Sequence, residues 1–475
     1  MNILSIPALD NFPFTALQNY SYDLQEVRLD YSSEPLGFLD RLEYFFPIDP
    51  ITIITIRDIS EGGIHPFPSE KKYSLYSKLT AKYNCLVDCE MENYFRHKPV
   101  LPNSNLILSL HINRETSELI KSVESAIESA NRLSLRYLKI VVPIESYYDL
   151  ECLRELSRRS RNPLLLCGTG YLGKLSRIFW KLLGSKGTFT GLPGFETSPE
   201  QLHPEEYELF GSRQLDENTL IGGIIGGEQV YDSLGLKYYN QRLRHLDDKI
   251  VYLPLPVRNS QDFLQWLQKM NKMIRFYGFS VTMPCKTDLP KLFNVPDKPI
   301  NLISVKTDRK EQLPLNSPEL FQNTDREAFQ KALSSLEIDK HSSILVWGSG
   351  ASAQCFIEEF SYLKRIQISG RNVGALKIIA EKYRVEFLTL SDIKGKFFDL
   401  IINCTPLGMK NEDLFKVTGL SLPGKLIDLP YCEGSTKAIE KCAAQGIPFI
   451  DGKSFWHFQS KKQEEMFQAN ISKLL

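Results

Sequence analysis

The sequence predicts an α/β protein with an N-terminal (β/α)8 barrel, followed by a two-lobed α/β module whose second lobe is Rossmann-like. Three observations predict it. The chain has 475 residues, more than one domain at roughly 100–200 residues each. Its first ~210 residues alternate short apolar runs with helical patterns, the signature of parallel strands joined by crossover helices. Further on, a glycine-bearing turn follows an apolar strand and opens a helix, as in a nucleotide-binding βαβ unit.

The barrel strands are read in order as NILSI (2–6), EVRLDY (26–31), ITIITIR (51–57), NCLVDCE (84–90), LILSLH (106–111), YLKIVV (137–142), PLLLC (163–167) and GTFTG (187–191). Helical patterns such as ETSELIKSVESAIESANRLS (115–134) lie between them. Eight strands in so short a span favour a closed barrel, with an open doubly wound sheet as the alternative. At residue 211 the texture turns polar (GSRQLDENTL), which places a linker at 211–217. Then come LIGGIIGG (220–227), VYLPLPV (251–257) and FYGFSVTMPCK (276–286), and later SSILVWGSGASAQCFIEEF (342–360), RIQISGRN (365–372) and FFDLIINCTPLG (397–408). These divide the second module into a lobe at 218–325, completed by 455–475, and a nucleotide-binding lobe at 326–454.

Composition excludes several classes. Hydrophobic residues are 42% of the chain and charged residues 24%, which suits a globular core. Lys+Arg and Asp+Glu are both 57, so no basic excess points to nucleic acid. No basic n-region precedes an apolar stretch, and no run reaches about 18 apolar residues, so neither a signal peptide nor a membrane span is expected. Nine scattered cysteines suit a reducing cytoplasm. Cys85 and Cys89 are spaced as buried strand thiols rather than as a metal site. Oligomeric state is left open, a homo-oligomer included.

In such a barrel the active site gathers at the C-terminal strand ends, and that is where the unusual polar residues occur. Glu26 and Arg28 share a face of the second run, because side chains alternate with period two. Arg57 ends the third run and Glu61 follows it. His111 ends the fifth, and Arg177 follows the seventh. Lys139 stands inside the apolar sixth run. Burial disfavours an ammonium, so Lys139 is expected to rest uncharged often enough to attack a carbonyl and form a Schiff base. A lysine whose ammonium meets water or a carboxylate is the plainer alternative.

EVRLD (26–30), TIRDISEGG (55–63), SLH (109–111), LKIVVP (138–143), GKLSR (173–177) and TSPEQ (197–201) together resemble the type I 3-dehydroquinate dehydratases. The resemblance implies a metal-free site with Lys139 as the imine-forming lysine and His111 as general acid and base. Glu61 would orient His111, and Arg177 would clamp the substrate carboxylate. Glu26, Arg28 and Arg57 would hold hydroxyls and place the lysine, while Thr197 and Gln201 would sit on a closing loop. Ile112 and Asn113 replace a usual Asp-Phe, and Thr197 stands where serine is common.

In the second module, small residues at Gly348, Ser349, Gly350, Ala351 and Ser352 let a pyrophosphate approach the backbone and a helix N-terminus. About twenty positions on, Arg371 suits a 2′-phosphate, which favours NADP over NAD. The pieces GIIGG (223–227), SVTMPCK (280–286), NTD (323–325), VWGSGAS (346–352), INCTPLG (402–408), DLPY (428–431) and DGKSFWHFQ (451–459) resemble the shikimate dehydrogenases. By that resemblance Lys286 and Asp325 form the catalytic pair. Ser233, Thr282, Asn301, Tyr431 and Gln459 would contact substrate, in the cleft between the lobes. Gly348 to Ser352, Arg371, Leu429 and Gly452 would line the cofactor. Gly235 stands in place of a second serine, and Ser280 in place of a usual asparagine.

The two resemblances imply consecutive reactions on small-molecule substrates. 3-Dehydroquinate would be dehydrated to 3-dehydroshikimate, which NADPH would reduce to shikimate. The alternatives are a second half specific for quinate, or one that senses ligand without turnover.

Overall fold

The structure, a computed structural model, describes residues 1–45, 48–112, 116–292, 299–305, 320–432 and 434–475. Asn113 lies outside the described residues. The N-terminal strands are β1 (Asn2–Pro7), β2 (Leu24–Arg28), β3 (Thr52–Thr55), β4 (Leu86–Glu90), β5 (Leu106–His111), β6 (Tyr137–Pro143), β7 (Leu164–Thr169) and β8 (Thr188–Gly191). They pair in the order β7-β6-β5-β4-β3-β2-β1-β8, every pair parallel. The pairing of β8 with β1 curls the sheet round. Lys186 N donates to Leu164 O at 2.7 Å beside the starts of β7 and β8, and the barrel is nearly closed. All eight expected strands are present. The largest difference is at β2, which begins at Leu24 and gives way to a 3-10 turn at Leu29–Tyr31.

Alternation along the strands sorts the barrel interior into layers. Ile3, Leu24, Ile53, Leu86, Ile107 and Leu165 form an apolar floor with Tyr137 and Phe189. Two residues further along their strands come Ser5, Glu26, Thr55, Asp88, Ser109 and Lys139. Two further again come Arg28, Glu90 and His111, with Arg57 just past the end of β3. One sealed apolar layer thus supports two polar ones, so the chemistry sits at the C-terminal mouth.

The remaining strands are β9 (Leu220–Gly226), β10 (Ile250–Pro256), β11 (Arg275–Val281), β12 (Leu302–Ile303), β13 (Phe321–Gln322), β14 (Ile344–Trp347), β15 (Ile366–Ser369), β16 (Glu386–Phe387), β17 (Leu400–Asn403), β18 (Lys425–Asp428) and β19 (Phe449–Ile450). The chain divides into two compact units. The first holds Met1–Ile221 with Leu236–Leu255 and Gln261–Arg275; the second holds Gly222–Gly235, Pro256–Ser260 and Phe276–Leu475. In the first unit the helix Ser260–Met270 presents Phe263, Trp266, Leu267 and Met270 as one buried stripe. Trp266 lies 4.8 Å from the Tyr147 ring and 5.9 Å from Phe179. Asp262 accepts from Tyr147 N at 2.7 Å and Tyr148 N at 3.1 Å, at the N-terminus of the helix Tyr147–Ser157.

In the second unit β9, β11, β12 and β13 lie side by side in that order, and β14 to β19 form a parallel sheet ordered β16-β15-β14-β17-β18-β19. Its order reverses direction between β14 and β17, the switch point where such sheets bind ligands. Both faces are covered: Ile344 and Val346 enter one apolar cluster, Leu345 and Trp347 the other. The C-terminal helix Gly452–Leu474 brings Phe455 into the first cluster. Its far end reaches β11 and β12, where Asn470 Nδ2 donates to Tyr277 O (2.8 Å) and Ser304 Oγ (2.9 Å). Among the described residues no helix is long and apolar enough to cross a membrane.

Candidate active sites

The barrel mouth encloses a cavity of about 520 Å³, within the usual range for small-molecule sites. Glu26, Arg28, Arg57, Glu61, Glu90, His111, Lys139, Arg177, Thr197 and Gln201 all line it. Lys139 is 7% exposed. Its Nζ lies 3.0 Å from Asp88 Oδ2 and 3.3 Å from Glu26 Oε1, and 4.4 Å from the centre of the Phe189 ring. Burial alone would pull its pKa down, but Asp88 and Glu26 outweigh it and raise the pKa above the ordinary lysine value. The expectation that Lys139 rests uncharged is therefore overturned: a buried amine between two carboxylates and an aromatic face is an ammonium.

Both carboxylates are held ionised. Glu26 accepts from Ser5 Oγ (2.7 Å) and Thr55 Oγ1 (2.8 Å). Asp88 accepts from Ser109 Oγ (2.6 Å) and Arg57 Nη2 (2.8 Å). Burial raises each, yet the surrounding cations, Lys139 first for Glu26 and Arg57 first for Asp88, bring both below the ordinary carboxylate range. Arg57 also contacts Ser109 Oγ (3.0 Å) and Glu90.

His111 pairs through Nδ1 with Glu90. Burial, then Arg57 and Lys139, hold its pKa well below the ordinary imidazole value, so the ring rests neutral. With Nδ1–H directed at a carboxylate, the Nε2 lone pair is left as the base. Glu61 does not orient His111. Its carboxylate is taken by the buried Lys72 Nζ (2.6 and 2.9 Å), by Asn93 Nδ2 (2.6 Å) and by Asp58 N (3.0 Å); an ammonium 2% exposed needs that partner. The carboxylate that meets the imidazole is that of Glu90.

Arg28 makes a two-pronged bond to Asp30 at 2.8 and 3.0 Å. Arg177 differs from the other arginines that line this cavity. It is 3% exposed; among the described residues its hydrogen-bond partner is Ser198 Oγ at 3.3 Å, and its Nε has none. Gln201 Nε2 donates to Ser5 Oγ (3.1 Å) and Thr197 Oγ1 (3.0 Å), while Thr197 N donates to Gln201 Oε1 (2.8 Å). That lattice ties the segment after β8 to the barrel interior.

The second site lies in the second unit. Asp325 opens the helix Asp325–Ser335 and is 2% exposed. Its Oδ2 accepts from Lys286 Nζ at 3.2 Å and Ser352 Oγ at 3.3 Å, and its Oδ1 from Asn301 Nδ2 at 2.8 Å. Asn301 Oδ1 accepts from Thr324 N at 2.8 Å, which fixes the amide. Ser280 Oγ donates to Gln463 Oε1 at 2.6 Å, and Gln463 Nε2 in turn reaches Asn301 O at 3.2 Å. Gln459 is half-buried on the same C-terminal helix as Gln463, one turn before it. Thr282 N donates to Ile225 O at 2.8 Å. Gly235 N donates to Ser233 Oγ at 3.2 Å, so the residue replacing a second serine supports the first through its backbone. Burial, then Asp232, raises the Tyr431 hydroxyl pKa.

The turn after β14 has the shape a pyrophosphate needs. Gly348 has φ +129°, and a Cβ there would lie 2.9 Å from Thr405 Cγ2 on the loop after β17, so only glycine lets the two strand ends meet. Gly350 precedes the helix Ala351–Glu359 with open space around it and no side-chain cap, leaving first-turn N–H groups for an anion. Ala351 begins that helix, and Ser349 O accepts from Gln354 Nε2 at 3.2 Å. Arg371 is exposed at the end of β15, with no ion pair among the described residues. Leu429 follows β18, and a Cβ on Gly452 would lie 2.4 Å from its carbonyl oxygen.

Residues 13–208 match the family model described as type I 3-dehydroquinase. That region is a type I 3-dehydroquinase domain. The second half is similar to shikimate dehydrogenases (NADP(+)): 28% identical to that of Methanococcus vannielii over 270 residues, 53% of this chain and 93% of that protein, and 25% identical to that of Methanococcus maripaludis over 252 residues, 50% and 88%. Among solved structures, the dehydroquinate dehydratase and shikimate dehydrogenase from S. pombe aligns over 99% of this chain and 97% of that chain, at 18% identity and a TM-score of 0.38. The chain thus joins a dehydroquinase domain to a shikimate dehydrogenase homologue.

Sequence reading missed Asp88 and Glu90 of the dehydroquinase domain. The signal was present: NCLVDCE places two acids two apart at a strand end, the same parity that linked Glu26 to Arg28. Cys85 and Cys89, also in that stretch, are buried and free. In the second half Gln463 and the turn of Ser352 toward Asp325 were missed, because neither follows from local spacing.

Proposed function

We propose that this chain dehydrates 3-dehydroquinate to 3-dehydroshikimate in the barrel and reduces that product to shikimate in the second unit. The observation that carries the first step is a buried lysine flanked by carboxylates and facing a neutral histidine in one cavity. Arg177, the one arginine of this cavity without a carboxylate partner among the described residues, takes that of the substrate. Lys139 must pass its proton to a neighbouring base before it attacks the ketone; water leaves as the imine forms. His111 Nε2 removes a proton from the carbon beside the imine, and the electrons flow into the cationic nitrogen. The resulting imidazolium protonates the departing hydroxyl, and hydrolysis of the imine frees Lys139.

The second step rests on Lys286 and Asp325, which hold the proton at the substrate oxygen. Ser233, Thr282, Asn301, Tyr431 and Gln459 contact carboxylate and ring hydroxyls, in the cleft between the two lobes. The Gly348–Ser352 turn, the uncapped helix and the unpaired Arg371 fit NADP(H), with Leu429 and Gly452 beside it. When bound, this cofactor supplies the hydride. Nine free cysteines suit a cytoplasmic setting. The assembled Lys286–Asp325 pair speaks against a second half that only senses ligand.

The test supplies 3-dehydroquinate and NADPH together and identifies the product. Shikimate with matching NADPH loss is expected; accumulation of 3-dehydroshikimate would sink the reductase reading. Borohydride added with substrate should leave a covalent adduct on Lys139, and an unmodified lysine would sink the imine route.

A further inference from the structure

Asp325 Oδ2 receives two donors, and only one belongs to the expected catalytic pair. The second, Ser352 Oγ at 3.3 Å, comes from the glycine-rich turn that sequence reading gave wholly to the nucleotide. A serine in the first turn of a helix ordinarily bonds its own backbone. Here the helix Ala351–Glu359 has no side-chain cap, and the Ser352 hydroxyl finds Asp325 instead. Ser352 and Cys355 are three residues apart and share a helix face. The buried Cys355 thiol also feels the Asp325 charge, which adds to burial in raising its pKa. That face therefore looks at the carboxylate. Asn301 fixes the other oxygen at 2.8 Å, so the serine completes a three-donor setting.

We propose that Ser352 is a positioning residue for the reductase: its hydroxyl holds Asp325 Oδ2 in line with Lys286 and ties the proton-handling pair to the nucleotide turn. This rests on the reductase reading above. Removing the hydroxyl leaves the backbone cradle whole but lets the carboxylate turn. The loss should fall on kcat and on substrate binding, and nucleotide binding should be untouched.

The experiment compares the full chain with Ser352→Ala and Ser352→Thr. Ser352→Ala is expected to lower kcat for shikimate oxidation about tenfold, the worth of one hydrogen bond to an ionised group, with the KM for NADP unchanged and with recovery in Ser352→Thr. Calorimetric titration of nucleotide-free protein with shikimate needs no turnover. There Ser352→Ala should bind several-fold more weakly and Ser352→Thr like the parent. A raised KM for NADP with kcat retained would assign the hydroxyl to the nucleotide and overturn the proposal, as would Ser352→Ala matching the parent in both kcat and shikimate binding. A parent chain that neither oxidises nor binds shikimate would overturn the reductase reading and this assignment with it. Saturable NADP binding by each sample reports that the second unit is folded.

Discussion

Lys139 shows how a single side chain can be placed correctly and still be misjudged in charge. Its strand, its burial and its neighbourhood with His111 follow from the alternation of one short run. Its ammonium follows from Asp88, which is 51 residues away in sequence and 3.0 Å away in space. Glu61 and Glu90 make the same point. Both are acids near strand ends, and only packing decides which meets the imidazole. Two outcomes separate them. Glu90→Gln should cost the dehydratase about a hundredfold in kcat, because general acid–base catalysis contributes at least that much. Glu61→Gln should instead cost stability, about 3–5 kcal/mol, since it leaves the buried Lys72 ammonium without a carboxylate; thermal inactivation of the dehydratase measures this. The parent pH profile follows from His111. Its folded pKa lies well below the ordinary value of about 6.5, so the base form persists as pH falls through 6.5. kcat/KM should decline only at more acid pH, and a midpoint at or above 6.5 would contradict the neutral resting ring.

Strands β1 to β8 were legible because each is an apolar run set off by helical periodicity, and both faces of such a strand are covered. The helix Ser260–Met270 was not singled out in the sequence. Its stripe of Phe263, Trp266, Leu267 and Met270 has helical spacing, but spacing cannot name what a stripe will cover. Tyr147 and Phe179 are more than eighty residues upstream, and local patterning holds no record of that distance. Trp266, 4% exposed, fills the contact with both rings. Trp266→Ala should therefore destabilise the first unit by about 3–5 kcal/mol through the cavity left behind. The check is a lower temperature of dehydratase inactivation, and an unchanged temperature would show that the helix contributes nothing to that unit.

The residues proposed for the two steps fall in separate units, those for dehydration in the first and those for reduction in the second. Lys139→Ala should abolish dehydration and leave shikimate oxidation intact, and Lys286→Ala should do the reverse. An equal mixture of the two variants should again carry 3-dehydroquinate through to shikimate with NADPH; failure of the mixture while each variant keeps its own single activity would show that the steps need one chain. The sequence by itself determined the order of the elements, the two kinds of sheet, and which residue types arrive at each strand end, because periodicity, glycine placement and strand parity are local properties of the chain. Only the tertiary structure decided the charge on Lys139, the partner of His111, the third donor on Asp325 and the packing of Trp266. Each of these depends on groups distant in sequence whose fields and contacts exist only once the backbone has brought them within a few ångströms.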